Sequence, residues 1–112
     1  FSNISLVQLV DTRQFGIAGV IGGCCPAYGA MFIEALADAA VLYGLPRELS
    51  YALASQMLAG TGKMQVETKT HPGAMKDAVC SPGGITIKGV AELERKGFRG
   101  AVIDAIDAVM RK

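Results

Sequence analysis

The stretch LPRELSYALASQMLAGTGKMQVET (residues 45–68) decides the fold. Pro46 suits a helix start, because its fixed φ matches a first turn and its missing N–H has no intrahelical partner there anyway. Beyond it, Leu49, Leu53, Met57, Gly60 and Met64 recur near the 3.6-residue period of one helix face. The pattern fades only around residues 68–70, which predicts a single helix of roughly 22 residues, ~33 Å long at 1.5 Å per residue. A compact domain of this size has a radius of gyration of only ~13 Å. Such a helix overruns the globule that would have to hold it, and interlocking with a second copy of the chain resolves the mismatch.

The neighbouring segments are helical too. Residues 12–22 predict a first helix that stops near Gly22 and Gly23. Pro26 opens a second helix, which runs to about residue 43 and ends at Gly44. Its alanines (Ala27, Ala30, Ala35, Ala37, Ala39, Ala40) permit close helix approach, while Met31, Leu36 and Val41 fill space. Downstream, Pro72 starts a short helix to about residue 79, and Ser81-Pro82-Gly83-Gly84 forms a turn. Residues 86–96 and 98–111 supply two more helices, the last with Ile103, Ile106 and Met110 on one side. Residues 1–10 (FSNISLVQLV) read as a strand or extended lead-in, with Asp11 or Thr12 capping the first helix. The expected fold is all-α, with five to six helices, a short extended N-terminal lead-in and an interlocked, domain-swapped homodimer.

Composition agrees. Of 112 residues, 51% are hydrophobic and 19% charged, below the ~25% charged content of ordinary soluble domains. The length allows one domain, and the surplus apolar surface is expected to meet another copy or another domain. A net charge of +1 with scattered Lys and Arg gives no footprint for nucleic acid or an anionic membrane. The three cysteines, Cys24, Cys25 and Cys80, include an adjacent pair. That arrangement excludes a disulfide framework and a CxxC metal site, and a reducing, cytoplasmic setting is expected. The uncharged run QFGIAGVIGGCCPAYGAMFI (residues 14–33) approaches the length of a bilayer span. Five glycines and Pro26 within it, with Glu34 and Asp38 close behind, fit a helix packed inside protein better.

Few constellations carry chemistry. Gly60-Thr61-Gly62-Lys63 lacks the outer positions of a phosphate loop, which are Met57 and Met64 here. No G-x-G-x-x-G occurs, so the chain has no dinucleotide fingerprint, and no metal site is expected. His71, the sole histidine, precedes Pro72 and reads as a cap or orienting group at a helix start. Glu34 and Asp38, four apart, share a helix face that repels itself unless paired. Cys80, like Cys24 and Cys25, reads as a small buried hydrophobe. The informative segment is VCSPGGITI (residues 79–87). Its paired glycines can aim successive N–H groups at one point, and the helix N-terminus that follows favours a small anion such as a carboxylate. Ser81 and Thr86 add hydroxyls, and Ile85 and Ile87 offer an apolar wall for a small ring. An ordinary helix connection capped by Ser81 explains the same residues equally well.

The run from His71-Pro72-Gly73 through Lys76-Asp77-Ala78-Val79-Cys80-Ser81-Pro82-Gly83-Gly84-Ile85-Thr86-Ile87 resembles the signature of pyrroline-5-carboxylate reductases. Pro26-Ala27-Tyr28, residues 34–39, Gly44-Leu45-Pro46, Gln56, Gly60, Lys63-Met64, Leu93-Glu94 and Gly97-Phe98-Arg99 fit the same pattern. The resemblance covers residues 11–112 and implies the helical dimerisation and substrate-binding domain of a reductase that converts 1-pyrroline-5-carboxylate to L-proline with NADPH or NADH. It implies a homodimer that can assemble into rings, and it makes residues 1–10 the remnant of an N-terminal Rossmann domain. The cofactor would bind outside these residues, and the chain alone would be inactive. Carried onto this sequence, Gly83, Gly84, Ile85 and Thr86 hold the substrate carboxylate. Ser81 and Thr86 orient the ring, and Thr86 stands beside the imine nitrogen as the catalytic candidate. Where the family usually has Gly-Ser-Gly before Pro-Ala-Tyr, this chain has Gly23-Cys24-Cys25. The alternative expectation is a non-catalytic helical oligomerisation module.

Overall fold

The computed structural model describes residues 15–111, in which six α-helices follow one another: α1 (Phe15–Gly23), α2 (Cys25–Leu42), α3 (Arg47–Thr68), α4 (Pro72–Ala78), α5 (Ile85–Arg95) and α6 (Phe98–Met110). No strand occurs among the described residues. The extended lead-in at residues 1–10 and the cap at Asp11 or Thr12 lie outside them. The long helix read from residues 45–68 is there at 22 residues.

The helix ends show why these residues stop where they do. Gly44, with φ +98°, follows α2; its N–H bonds to Val41 O (2.9 Å), and the Leu45 N–H bonds to Ala40 O (3.0 Å). Those two bonds are the Schellman pattern, in which a left-handed glycine satisfies orphan carbonyls. Gly97, with φ +73°, ends α5 in a similar way. At the end of α3 the left-handed position is taken by Lys69, with φ +59°, whose N–H reaches Gln65 O at 2.8 Å. Side chains support that ending: Thr68 Oγ1 donates to Met64 O (2.7 Å), the Thr70 N–H donates to Thr68 Oγ1 (3.2 Å), and Gln65 Nε2 donates to Thr70 O (3.2 Å). Between α1 and α2 the expected stop is much slighter than the glycines suggest. Cys24 keeps near-helical angles (φ −95°, ψ −36°), and its N–H still bonds to Val20 O at 2.9 Å.

The chain divides into two compact units, Phe1–Ala59 and Gly60–Lys112. In the first unit, α2 and α3 run antiparallel. Asp38 and Arg47 join them near the turn at 2.5 Å, and Gly29 faces Leu58 further along, where an added Cβ would lie 3.9 Å from Leu58 Cδ2. Among the described residues of this unit, Ala37, Ser50 and Ala54 are buried. Small side chains here let the helices approach, as the alanine-rich pattern requires. Ser50 is buried without an unsatisfied hydroxyl, because Oγ donates to Pro46 O at 2.8 Å. In the second unit α5 packs on α6, with Ile87, Val90 and Ala91 of α5 and Ala105 and Ile106 of α6 half-buried.

No residue of the second unit is buried among those described. Large apolar side chains stay open in both units, among them Leu42, Tyr43, Leu53, Met64, Ile103 and Met110. Ile103, Ile106 and Met110, expected to share a covered side of α6, are covered by this chain only at Ile106. The apolar segment at residues 16–42 is long and apolar enough to cross a membrane, and Ala37 is the residue of it that this chain buries.

Candidate functional site

The segment singled out at residues 79–87 forms a turn followed by a helix start. Pro82 and Gly83 occupy the two central positions of the turn, Gly83 has φ +69°, and the Gly84 N–H closes on Ser81 O at 3.0 Å. Proline followed by a left-handed glycine is the requirement of a type II turn. Gly84 is then extended (φ −78°, ψ −179°) and serves as the N-cap of α5.

Glycine at that cap has two consequences. It supplies no side-chain acceptor, and no acidic residue lies in the first turn, so Ile85, Thr86 and Ile87 present their N–H groups at the positive end of α5 without a protein carboxylate to answer them. It also admits the Ser81 hydroxyl to the space above its α-carbon. A Cβ on Gly84 would lie 2.5 Å from Ser81 Oγ and 3.3 Å from Ser81 O. Ser81 therefore does not cap α5 with its side chain, as an ordinary connection would have it; its carbonyl closes the turn and its hydroxyl stands beside the helix start.

Of the four backbone donors expected to grip an anion, Gly84 gives its N–H to the turn itself. Gly83, Ser81 and Thr86 are exposed, and Ile85 is open to solvent over 85% of its surface. Ile87, the second isoleucine of the expected apolar wall, is half-buried. What this arrangement can do is bind a small monoanion at α5, offer two hydroxyls to a polar group of the same ligand and lay an isoleucine along its apolar part.

The other candidates fall into structural roles. His71 is the N-cap of α4, its Nδ1 accepting the Gly73 N–H at 2.9 Å. Asp38 and Glu34 lie on α2. Asp38 is paired with Arg47, whose guanidinium also stands over the Tyr51 ring at 5.5 Å. The Asp38 carboxylate pushes the Arg47 pKa further up from its ordinary value. Neither the Arg47 pairing nor the left-handed Lys69 was anticipated from sequence. The only signal for the first was the like-charge pair on α2, which called for a cation. Gly60-Thr61-Gly62-Lys63 lies inside α3 and forms no loop. The three cysteines are free thiols, and none is the buried hydrophobe expected: Cys24 is exposed and Cys25 and Cys80 are half-buried; no group of three or more His, Cys, Asp or Glu residues suited to a metal occurs among the described residues.

Comparison with known proteins gives this geometry a context. The sequence pattern of the family described as pyrroline-5-carboxylate reductase dimerisation matches residues 12–112. The chain belongs to that family. Among curated relatives, the pyrroline-5-carboxylate reductase of Treponema pallidum is 53% identical over 107 residues, covering 96% of this chain and 41% of the relative. The Escherichia coli reductase is 58% identical over 92 residues, covering 82% of this chain and 34% of the relative. The chain thus spans about two-fifths of the length of such relatives. The pyrroline carboxylate reductase of Plasmodium falciparum, solved with NADP bound, superimposes with a TM-score of 0.82 at 40% identity, over 88% of this chain and 38% of that one. The Streptococcus pyogenes 1-pyrroline-5-carboxylate reductase gives 0.84 at 36% identity, over the same shares. The dimerisation family accounts for the all-helical fold.

Proposed function

We propose that this chain is the dimerisation and substrate-binding part of an oxidoreductase that reduces the C=N bond of 1-pyrroline-5-carboxylate to L-proline with NADPH or NADH. The observation that carries the reading is the start of α5. A small carboxylate is the ligand that bare N–H groups at a helix N-terminus accept best, and this one has an open isoleucine and two hydroxyls around it. Family membership supports the same ligand, and the names of the relatives support the reaction.

In this reading the Gly83, Ile85 and Thr86 N–H groups hold the carboxylate, and Gly84 shapes the turn that brings them together. The Ser81 and Thr86 hydroxyls fix the ring's rotation, with Thr86 Oγ1 hydrogen-bonded at the imine nitrogen. The nicotinamide supplies the hydride when bound; these residues contribute position, which is worth several kcal/mol in a reaction of two bound partners. The sequence holds no G-x-G-x-x-G, and in this reading the cofactor binds outside residues 11–112. The proton that reaches the nitrogen comes from solvent.

The chain acts as a homodimer, residues 11–112 forming the helical domain in which two copies interlock, and dimers assemble further into rings. Support comes from the open apolar side chains of α2, α3 and α6, which only another protein surface can cover as compactly as a core requires. The same cover takes in residues 16–42, making them an interface rather than a membrane span, in a cytoplasmic protein that binds no nucleic acid.

The test is turnover. Full-length protein given pyrroline-5-carboxylate should oxidise NADPH or NADH and form proline, the 112-residue chain alone should not, and Thr86→Ala in the full-length protein should slow turnover without breaking the dimer. A full-length dimer that binds neither proline nor substrate would instead be an oligomerisation module.

A further inference from the structure

We infer that Lys88 is a specificity-determining residue for the site proposed above, favouring the anionic substrate of the reaction over its zwitterionic product. The inference rests on that site. Lys88 is the fourth residue of α5, one helical turn past the N-cap Gly84. Four residues of helix place the two α-carbons about 6 Å apart along the axis. Helical side chains lean toward the N-terminus, and positions three and four apart are neighbours on one face. Lys88 therefore shares the face of Gly84 and Ile85. Gly84 has no side chain to intervene, and Ile85 and Lys88 are both exposed.

The charge of Lys88 is unanswered. Along α4, α5 and α6, Lys76 pairs with Asp77, Arg95 and Lys96 with Glu92, Arg99 with Glu94 and Arg111 with Asp107. Lys88 is the remaining lysine or arginine of these helices and their caps, and among the described residues it forms no ion pair, with Asp104 of α6 or with any other carboxylate. Its position also works against the helix. A helix start is the positive end, where a carboxylate stabilises and a cation does not. Arg99 stands equally early in α6 but is compensated by Glu94. The stability of α5 thus gives no reason for a lysine here, whereas a bound anion does. Lys88 adds a full charge to the partial charge of the Ile85, Thr86 and Ile87 N–H groups.

The proposed reaction supplies the difference that such a cation reads. 1-Pyrroline-5-carboxylate with its imine neutral carries a net charge of −1. L-proline has the same carboxylate beside a secondary ammonium, and its net charge is zero. Backbone N–H groups in contact with the carboxylate hold both alike. From a helical turn away, Lys88 meets one uncompensated charge in the substrate and two opposed charges in the product, which nearly cancel. It draws in the first and is almost indifferent to the second, so substrate capture gains without a matching grip on the product.

The experiment compares full-length wild type, Lys88→Gln and Lys88→Arg at about pH 8. Calorimetry measures L-proline and tetrahydrofuran-2-carboxylate, which keeps the ring and the carboxylate and replaces the ammonium by an ether oxygen. Steady-state kinetics measures pyrroline-5-carboxylate. Lys88→Gln should weaken the ether acid and raise the substrate KM by about two- to threefold, the size of one charge pair roughly 8 Å apart in a near-aqueous dielectric. Turnover at saturation and proline affinity should stay at wild-type values, and Lys88→Arg should restore the rest. Raising salt from about 0.01 M to about 1 M shortens the Debye length from about 30 Å to about 3 Å and should erase the difference between wild type and Lys88→Gln. Equal loss of both ligands, or loss of neither, overturns the inference and leaves the site standing. A wild type that binds neither ligand overturns the site reading, and the inference with it.

Discussion

The Ser81 hydroxyl occupies the place where any other residue at position 84 would carry its Cβ, 2.5 Å from that atom's ideal position. Because Gly84 has φ −78°, backbone strain is not what calls for glycine here. The requirement is space: the helix start and the serine hydroxyl stay adjacent only while position 84 has no side chain.

Gly84→Ala should therefore leave the helices in place and rotate the serine away. Proline affinity of the full-length protein is expected to fall by about 1.5–3 kcal/mol, the worth of hydrogen bonds to a charged group. Titration calorimetry of G84A, S81A and the double variant would show strong coupling, since once the hydroxyl is gone the methyl has less to displace.

Thr86→Ala and Thr86→Ser separate the hydroxyl from the methyl at the second position of α5. T86A should bind proline about 1 kcal/mol more weakly and slow turnover further, as expected for a lost hydrogen bond. T86S should recover most of both. Steady-state kinetics with pyrroline-5-carboxylate gives the readout, and equal values for wild type and T86A would remove Thr86 from the site.

Lys69 holds a left-handed conformation that costs an L-residue roughly 1–2 kcal/mol. Lys69→Gly should raise stability by part of that amount, offset by the glycine's greater freedom when unfolded. Lys69→Val should lower stability, because a β-branched residue tolerates this region worst. Thermal unfolding at constant protein concentration compares the three.

Leu53 lies on the face of α3 that carries Leu49, Met57 and Met64 and is half open in the single chain. Leu53→Asp would cost little if that face met water. In an interlocked dimer it buries a charge, so sedimentation should show loss of the dimer, with unfolding as the companion effect.

The helix pattern was legible because its punctuation is local. Pro26, Pro46 and Pro72 mark starts, and Gly44 and Gly97 supply the left-handed ends that a glycine permits. His71 was readable as a cap from its place before Pro72. Lys69 was not, since nothing in a lysine announces a left-handed residue; the threonines and Gln65 that support it act through side chains only the folded chain brings together. The Asp38–Arg47 bridge was hidden for the same reason, its partners meeting only when α2 and α3 turn back on each other. At Cys24 the paired glycines promised a break, yet the i→i−4 bond to Val20 carries the helix direction through. At the site, the residues of the turn were legible, but the engagement of the Gly84 N–H by Ser81 O was not, because composition cannot say which donor a turn spends on itself.

With Ala37, Ser50 and Ala54 as its buried residues among those described, a lone copy has little to fold around. Acquiring structure and finding a partner then become one second-order event, whose midpoint rises with protein concentration. If the two copies interlock as proposed, they can exchange partners only by coming largely undone. Mixed dimers of two variants would form during joint refolding and scarcely at all by blending finished preparations.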